Sequence, residues 1–163
     1  MSKQHYQAST YKAQQSVGYL LKRAHSLMLD AFEPMLEERG FTFIQYVILA
    51  WLRDGVALNP TDICSQYRHN SGALTRVIDQ LEERGLLARV RRDRDRRKVE
   101  LELTALGRET IESVIPLVVD KINLALAEFS SAEFHELVRL LLKLNVALES
   151  GGKRGAVAVG TEA

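Results

Sequence analysis

The sequence predicts a mainly α-helical protein with one small β-hairpin. Along most of the 163 residues, apolar side chains recur at intervals of three and four, which is the spacing of one face of an α-helix. Between residues 98 and 103, apolar and polar side chains instead alternate, as in a half-buried strand. Only three prolines and ten glycines are present, which favours long regular elements joined by short connections.

The first two helices are predicted from an apolar face and from the residues that bound them. The first helix is expected to run to Gly40, a residue that ends helices well, with a kink or local end at Pro34. Thr42 and Gln45 have the spacing of a capping box at the start of the second helix, which Gly55 ends. The apolar face of the first helix contains Val17, Leu20, Leu21, Ala24, Leu27, Met28, Ala31 and Phe32.

The middle of the chain combines two short helices with the hairpin. The helices are predicted at 60–67 and 71–84, and about three residues separate them, which are the proportions of a helix-turn-helix. A strand at 99–103 pairs with a partner within 87–92, and the polar residues 93–97 form the hairpin tip. A helix-turn-helix followed directly by a hairpin predicts a winged helix.

Two long amphipathic helices complete the chain. Thr104 is expected to cap the first of them, and Pro116 to kink it. Ser130 and Glu133 form a second capping box, at the start of a last helix that carries apolar residues to Leu148. One copy of the chain offers little surface to bury these helices and the first one, which favours association of two copies.

The positive charges are concentrated in one segment, although the net charge of the chain is only +1. From residue 84 to residue 98, eight basic and two acidic side chains give a net charge of +6. Seven of the eight are arginines, which bind phosphate or a guanine edge with two hydrogen bonds and fit a narrow minor groove. An arginine-rich hairpin tip alone is also typical of a solvated loop. Beside a helix-turn-helix, it favours binding to double-stranded DNA.

When the leucines and the isoleucine of the fourth helix point inward, its outer face consists of small and polar residues. Small residues let the backbone approach DNA closely, and a helix N-terminus attracts phosphate. The candidate DNA contacts in and before this helix are Arg68, Asn70, Ser71, Gly72, Thr75, Arg76 and Gln80.

Other classes of protein lack support in the sequence. It contains no Gly-rich phosphate loop, no Gly-x-Ser-x-Gly and no His-Glu-x-x-His, so an enzyme is not expected and no catalytic residue is assigned. The four histidines are dispersed, so neither a metal site nor a cofactor is expected. No segment suits a membrane span or a signal peptide, and the single cysteine permits no intramolecular disulfide, which predicts a cytoplasmic protein.

Two motifs resemble the MarR family of bacterial transcription regulators. Residues 70–87, NSGALTRVIDQLEERGLL, look like the recognition helix of that family. Asp95-Arg96-Arg97, followed by Leu103-Thr104 and Gly107, looks like its wing signature. The resemblance covers residues from about 12 to 148.

The resemblance implies a homodimer in which each winged helix binds half of a palindromic DNA operator, usually as a repressor. It implies that Ser71, Thr75 and Arg76 contact the major groove, and that Arg94 and Arg96 enter the minor groove. Arg97 falls at a family position that either contacts DNA or braces the wing through an acidic partner.

The family also implies a small aromatic or anionic effector, such as an aromatic acid or an acyl-CoA thioester, that releases the DNA. A cationic pair near an apolar cleft would suit a carboxylate or a phosphate. For each candidate the alternative is a structural role, in the core, at an interface or on the solvated surface. The candidates are Lys22, Arg23, His25, Tyr46 and Trp51.

Two alternative functions stay open. Cys64 would carry a redox switch if it were reactive, but it lies in the apolar phase of the third helix, which favours a buried inert thiol. A winged helix is also a possible protein-interaction module, although such a module needs no arginine-rich wing.

These interpretations define the expected domain organisation. Helix 42–54 belongs to the dimerisation region and also supports the DNA-binding lobe. The expected parts are a flexible arm (1–10), a helical dimerisation region (11–55 and 104–149), a winged helix-turn-helix DNA-binding lobe (56–103) and a disordered tail (150–163).

Overall fold

The computed structural model describes residues 4–56, 59–67, 71–91 and 99–158, without the side chains of Ser71 and of residues 151–158. In the described residues, a 3₁₀ turn at Ala13–Gln15 precedes six helices and one hairpin, so the predicted fold class is confirmed. The elements are α1 (Val17–Glu37), α2 (Phe43–Asp54), α3 (Pro60–Tyr67), α4 (Ser71–Glu83), β1 (Leu87–Arg91), β2 (Val99–Leu103), α5 (Ala105–Ala125) and α6 (Ser131–Ala158). Residues Met1–Lys121 and Ile122–Ala163 form two compact units, which are described separately.

The ends of α1 and α2 follow from local chemistry. The predicted capping box of α2 is present: the Thr42 N–H donates to Gln45 Oε1 at 3.1 Å, and the Gln45 N–H donates to Thr42 Oγ1 at 3.4 Å. Gly40 and Gly55 have φ values of +73° and +69°, a conformation that glycine adopts without steric cost.

Pro34 does not end α1, contrary to one of the two outcomes expected from the sequence. The helix continues to Glu37, and the Phe41 N–H then closes its last turn by donating to the Leu36 carbonyl at 2.9 Å. Phe32 and Leu36 are both buried, at 3% and 0% exposed, so packing holds the turn that contains the proline. α5 likewise continues through Pro116.

The hairpin is antiparallel, with Leu87 opposite Leu103 and Arg91 opposite Val99. Leu87 and Leu101 are buried, which confirms the half-buried character expected from the alternating pattern. The predicted tip, 93–97, lies outside the described residues.

The core of the first unit packs beneath α4. Its inner side chains Leu74, Ile78 and Leu81 are at most 2% exposed, and Ile63 of α3 is equally buried. Together with the hairpin and the two short helices, this core forms a winged helix.

The start of α5 is in close contact with the turn between α4 and β1. Thr104 Oγ1 donates to the Gly85 carbonyl at 2.6 Å and accepts from the Gly107 N–H at 2.9 Å, as a helix cap does. A Cβ atom at Gly107 would lie 1.8 Å from the Leu86 carbonyl oxygen. Only glycine fits there without moving the backbone.

The second unit is dominated by α6. Ser130 and Glu133 form the predicted capping box, in which the Ser130 N–H donates to Glu133 Oε2 at 2.9 Å. The helix extends to Ala158, past residue 150, where the sequence predicts a disordered tail. Lysine, arginine and alanine in this stretch have good helix propensity, which favours continuation of the helix, whereas Gly151, Gly152 and Gly155 disfavour it. α5 ends at Ala125, five residues before the capping box of α6.

The N-terminal arm is attached to α1. The Tyr6 ring meets the Tyr11 ring edge-on at 5.6 Å between centroids. Tyr6 Oη accepts from the Val17 N–H at 2.9 Å. Residues 4–10 therefore make specific contacts in the segment that the sequence predicts to be a flexible arm.

Candidate DNA-binding surface

The outer face of α4 is the exposed surface of the winged helix. Gly72, Thr75 and Arg76 are all exposed near the start of this helix, on the side opposite the buried Leu74 and Ile78. The Arg76 side chain has no hydrogen-bond or ion-pair partner among the described residues. Its guanidinium is therefore available for a ligand, and the nearby helix N-terminus adds partial positive charge.

Gln80 is exposed but already has a protein partner. Its Oε1 accepts from Gln45 Nε2, 3.2 Å away on α2. The amide nitrogen of Gln80 keeps its donors for a further ligand. A direct DNA contact by Gln80 is therefore limited to its NH₂ group while this hydrogen bond exists.

Arg89 attaches the wing to α4, a role that the sequence analysis missed. Its guanidinium bonds Asp79 Oδ1 at 2.5 Å and forms a second, very short ion pair with Glu82. The Arg89 backbone N–H also donates to Glu82 Oε1 at 3.2 Å. The hydrogen bond from Arg89 to Asp79 is the main reason that the pKa of Arg89 is raised. The signal available in the sequence was two acids three residues apart, followed by an arginine on the strand.

Arg84 is also held within the protein. Its Nη1 donates to the Gly40 carbonyl at 2.9 Å and to Gln45 Oε1 at 3.3 Å, and its guanidinium carbon lies 4.4 Å from the centre of the Phe41 ring. Of the three basic residues at 84–98 that the structure describes, Arg84 and Arg89 thus have intramolecular partners. Arg89 is paired with two acids, Asp79 and Glu82, that lie outside the segment counted in the sequence.

Several predicted contacts fall on residues that the structure does not describe. The wing residue Arg91 is exposed, and its side chain has no polar partner within the described chain. α4 begins at Ser71, whose side chain is not described. The predicted contacts outside the described residues are Arg68, Asn70, Arg94, Arg96 and Arg97.

The structure places the five effector candidates at three different locations. His25 and Tyr46 both contact the Phe43 ring, with centroid distances of 6.5 and 6.2 Å. Trp51 instead packs edge-on against Tyr67 of α3 at 6.2 Å. Lys22 and Arg23 are exposed on α1 and have no polar partner among the described residues.

The aromatic cluster of His25, Phe32, Phe43 and Tyr46 lies where α1 meets α2. Phe32 stacks on Phe43 at 6.3 Å. Burial raises the pKa of Tyr46, an effect that the charge of Arg53 partly offsets. Phe43, which joins the cluster, was not singled out in the sequence, because its role depends on the packing of two helices.

A narrow apolar crevice lies beside this cluster, lined by Phe41, Tyr46, Leu49, Thr110, Ile111 and Val114. It is too narrow to admit a water molecule. A pocket for a small organic ligand usually has at least about 300 Å³. An effector would therefore require this region to open.

Cys64 is a free, half-buried thiol. Among the described residues, no three histidine, cysteine or acidic side chains are arranged to hold a metal ion. No helix in the described part of the chain is long and apolar enough to cross a membrane.

The winged helix with an exposed face on α4 is the fold of DNA-binding transcription regulators. Comparison with known proteins gives its family. The family model described as "MarR family" matches residues 41–99. The HTH-type transcriptional repressor NicR of Pseudomonas putida is 25% identical over 142 residues, which cover 87% of this chain and 90% of NicR.

Two solved structures extend this comparison. BpsR of Bordetella bronchiseptica, whose DNA binding is regulated by 6-hydroxynicotinic acid, has a TM-score of 0.73 and 30% identity, over 83% of this chain and 96% of BpsR. A mutant of Escherichia coli MarR in complex with operator DNA has a TM-score of 0.69 and 25% identity, over 78% and 92% of the two chains. The chain belongs to the MarR family, and the relatives named here are regulators of transcription rather than enzymes.

Proposed function

We propose that the protein is a repressor that binds a palindromic operator as a homodimer and releases it when a small aromatic or anionic effector binds. The observation that carries this proposal is the exposed Arg76 on the outer face of α4, whose side chain has no partner among the described residues and which lies above a closed core. Bound to a promoter, such a dimer would exclude RNA polymerase by occupying the DNA.

The DNA contacts divide into two groups. On α4, Arg76 is expected to bind a base edge, while Ser71, Gly72 and Thr75 approach phosphates and neighbouring bases. The NH₂ group of Gln80 is a further donor. Arg68 and Asn70, which precede α4, and Arg94, Arg96 and Arg97 of the wing are expected to bind phosphates and the minor groove. Arg89 serves this surface indirectly, because it neutralises Asp79 and Glu82, which would otherwise repel phosphate.

Homodimer formation is supported by large apolar side chains that a single chain leaves in water. Several are at least 37% exposed, and clusters of this kind mark association surfaces. On α1 they are Val17, Tyr19, Leu20, Leu21, Leu27 and Met28, and on α6 they are Phe134, Leu137, Val138, Leu140, Leu142, Val146 and Leu148.

The effector class is supported by the aromatic cluster and by one relative. BpsR responds to 6-hydroxynicotinic acid, a planar aromatic acid. Stacking on Phe43 or Tyr46 would suit such a ring, with His25, Lys22 or Arg23 near its carboxylate. Trp51 packs on Tyr67, so we assign it to the support of α3 rather than to the ligand.

The test is fluorescence anisotropy with DNA from upstream of the gene for this protein and with scrambled DNA, over a range of salt concentrations. Tight, salt-dependent binding that prefers the upstream DNA supports the proposal. Arg76→Ala should weaken this specific binding by about 1–3 kcal/mol. Arg108→Ala, at an exposed arginine of α5, is the matched control. Equal losses in the two variants would contradict the assignment of α4 as the recognition helix.

The same assay tests the effector and the alternatives. Aromatic acids and acyl thioesters should release the DNA, and the response should fall when Lys22 and Arg23 lose their charges. Loss of DNA binding after alkylation of Cys64, with no response to any acid, would instead favour a redox switch. Equally weak binding to both DNA sequences would favour a protein-interaction module.

A further inference from the structure

Gln45 combines two structural roles that are normally separate. It is buried, at 7% exposed, and it is the third residue of the α2 helix, where its Oε1 caps the Thr42 N–H. The same side chain also bonds two residues of α4. Its Nε2 donates to Gln80 Oε1 at 3.2 Å, and its Oε1 accepts from Arg84 Nη1 at 3.3 Å.

Arg84 extends this contact to the connection between α1 and α2. Its Nη1 donates to the Gly40 carbonyl at 2.9 Å, and its guanidinium lies over the Phe41 ring. Gln80 and Arg84 are four residues apart. Arg84 directly follows the last residue of α4, so the two side chains lie one helical turn apart on the same side of this helix. Two side chains of the recognition helix are therefore held by one buried amide.

Arg76 lies on the same stripe of α4, one turn before Gln80. A helix that packs only through Leu74, Ile78 and Leu81 is free to shift slightly about its own axis, because apolar contacts are not directional. Hydrogen bonds do have a preferred direction. The bonds from Gln45 thus restrict rotation of α4 one turn from the side chain that faces DNA.

We propose that Gln45 is a positioning residue that sets the rotation of α4 and thereby the specificity with which Arg76 recognises a base. This inference rests on the proposed function as a DNA-binding regulator. Gln45 itself does not touch DNA. It acts through Gln80 and Arg84, so it should affect the preference for one DNA sequence more than the affinity for DNA in general.

Two substitutions separate positioning from simple capping. Gln45→Glu keeps an oxygen acceptor for the Thr42 N–H and for Arg84 but has no donor for Gln80. Gln45→Leu keeps a similar volume and removes all three hydrogen bonds. Gln14→Leu, at an exposed glutamine in the 3₁₀ turn, is the matched control for the chemical change.

The probes are a duplex that the wild-type protein enriches from a random library and a scrambled duplex of the same composition. Gln45→Leu should lower the ratio of the two affinities about tenfold, which corresponds to a directional hydrogen bond of ordinary strength. Gln45→Glu should lower the ratio by a smaller factor without a lower melting temperature. Affinity for the scrambled duplex and its salt dependence should stay as in the wild type.

A double-mutant cycle tests whether Gln80 works through Gln45. Gln80→Leu should lower the ratio less in the Gln45→Leu background than in the wild type, because the hydrogen bond between the two residues is already lost, whereas fully independent roles would give equal effects in both backgrounds. The inference is overturned if the variants lose affinity equally for both duplexes, or if only their melting temperatures fall. A wild-type protein that enriches no sequence would overturn the proposed function itself, and this inference with it.

Discussion

Helices α4 and α6 both carry apolar stripes, but only α4 buries its stripe within one chain. Leu74, Ile78 and Leu81 of α4 are at most 2% exposed. No described side chain of α6 is buried, and only Leu141 and Leu144 are half-buried. The apolar stripe of α4 is therefore fully covered within a single chain. α6 carries a surface whose burial needs another molecule, and we assign that molecule to a second copy.

The two capping boxes show the same contrast. In each box, two side-chain oxygens accept hydrogen bonds from backbone N–H groups at the start of the helix, between Thr42 and Gln45 in α2 and between Ser130 and Glu133 in α6. Glu133 is exposed, and its hydrogen bonds serve α6 alone. Gln45 is buried and also bonds α4. The same local motif thus acquires a second role only where another helix packs on it.

The largest expected effect lies in the core beneath α4. Ile78→Ala removes a side chain that is 0% exposed, so the unfolding free energy should fall by about 2–5 kcal/mol, since it leaves a cavity. Leu124→Ala, at a side chain that is 73% exposed, is the control and should have a much smaller effect. Urea unfolding measures both. Equal effects would remove the distinction between the two regions.

The α6 surface should determine association rather than stability of the single chain. Leu142→Glu combined with Val146→Glu places two carboxylates on side chains that are 60% and 62% exposed. The dimer dissociation constant should rise about 100-fold, because charges are costly in an apolar interface. Sedimentation velocity measures the change, with Glu149→Gln as the control. Unchanged association would mean that this face of α6 lies outside the dimer contact.

The ion pairs between the wing and α4 should contribute less. Arg89→Gln removes the partner of Asp79 and Glu82 and should lower the unfolding free energy by about 1 kcal/mol, since solvent screens these partly exposed groups. Affinity for any DNA should also fall, because two acids near the DNA surface lose their neutralising charge. Both effects should shrink at high salt. If both losses persist at high salt, Arg89 acts instead through packing of the aliphatic part of its side chain.

The smallest effect concerns pH at the start of α6. The hydrogen bond from Ser130 lowers the pKa of Glu133, so the charged carboxylate stabilises the cap. This contribution is complete above the ordinary glutamate pKa of about 4.3 and is lost as the pH falls through the lowered value. NMR titration of the Glu133 carboxyl measures the shift, and Ser130→Ala should return the pKa towards its ordinary value. An unchanged titration in that variant would refute the capping contact.

The sequence predicted the elements of the fold better than the surroundings of individual side chains. Periodicity and cap residues located all six helices and both strands within a few residues, except at Pro34 and beyond residue 150. The candidate site was harder to predict. Arg76 is exposed as expected, but Gln80 has a partner on α2, and Arg84 and Arg89 are held by groups on other elements.

The sequence by itself determined the local structure. It specified the helix starts at Thr42 and Ser130 and the helix ends at Gly40 and Gly55. It also specified the alternation of apolar and polar residues in the hairpin and the motifs of the family. These features depend on neighbours within a few residues, which the chain order specifies. Only the tertiary structure decided which of the described arginines have partners within the protein, and which buried amide holds α4. Those outcomes depend on contacts such as Gln45 with Gln80, 35 residues apart, which form only when separate helices pack together.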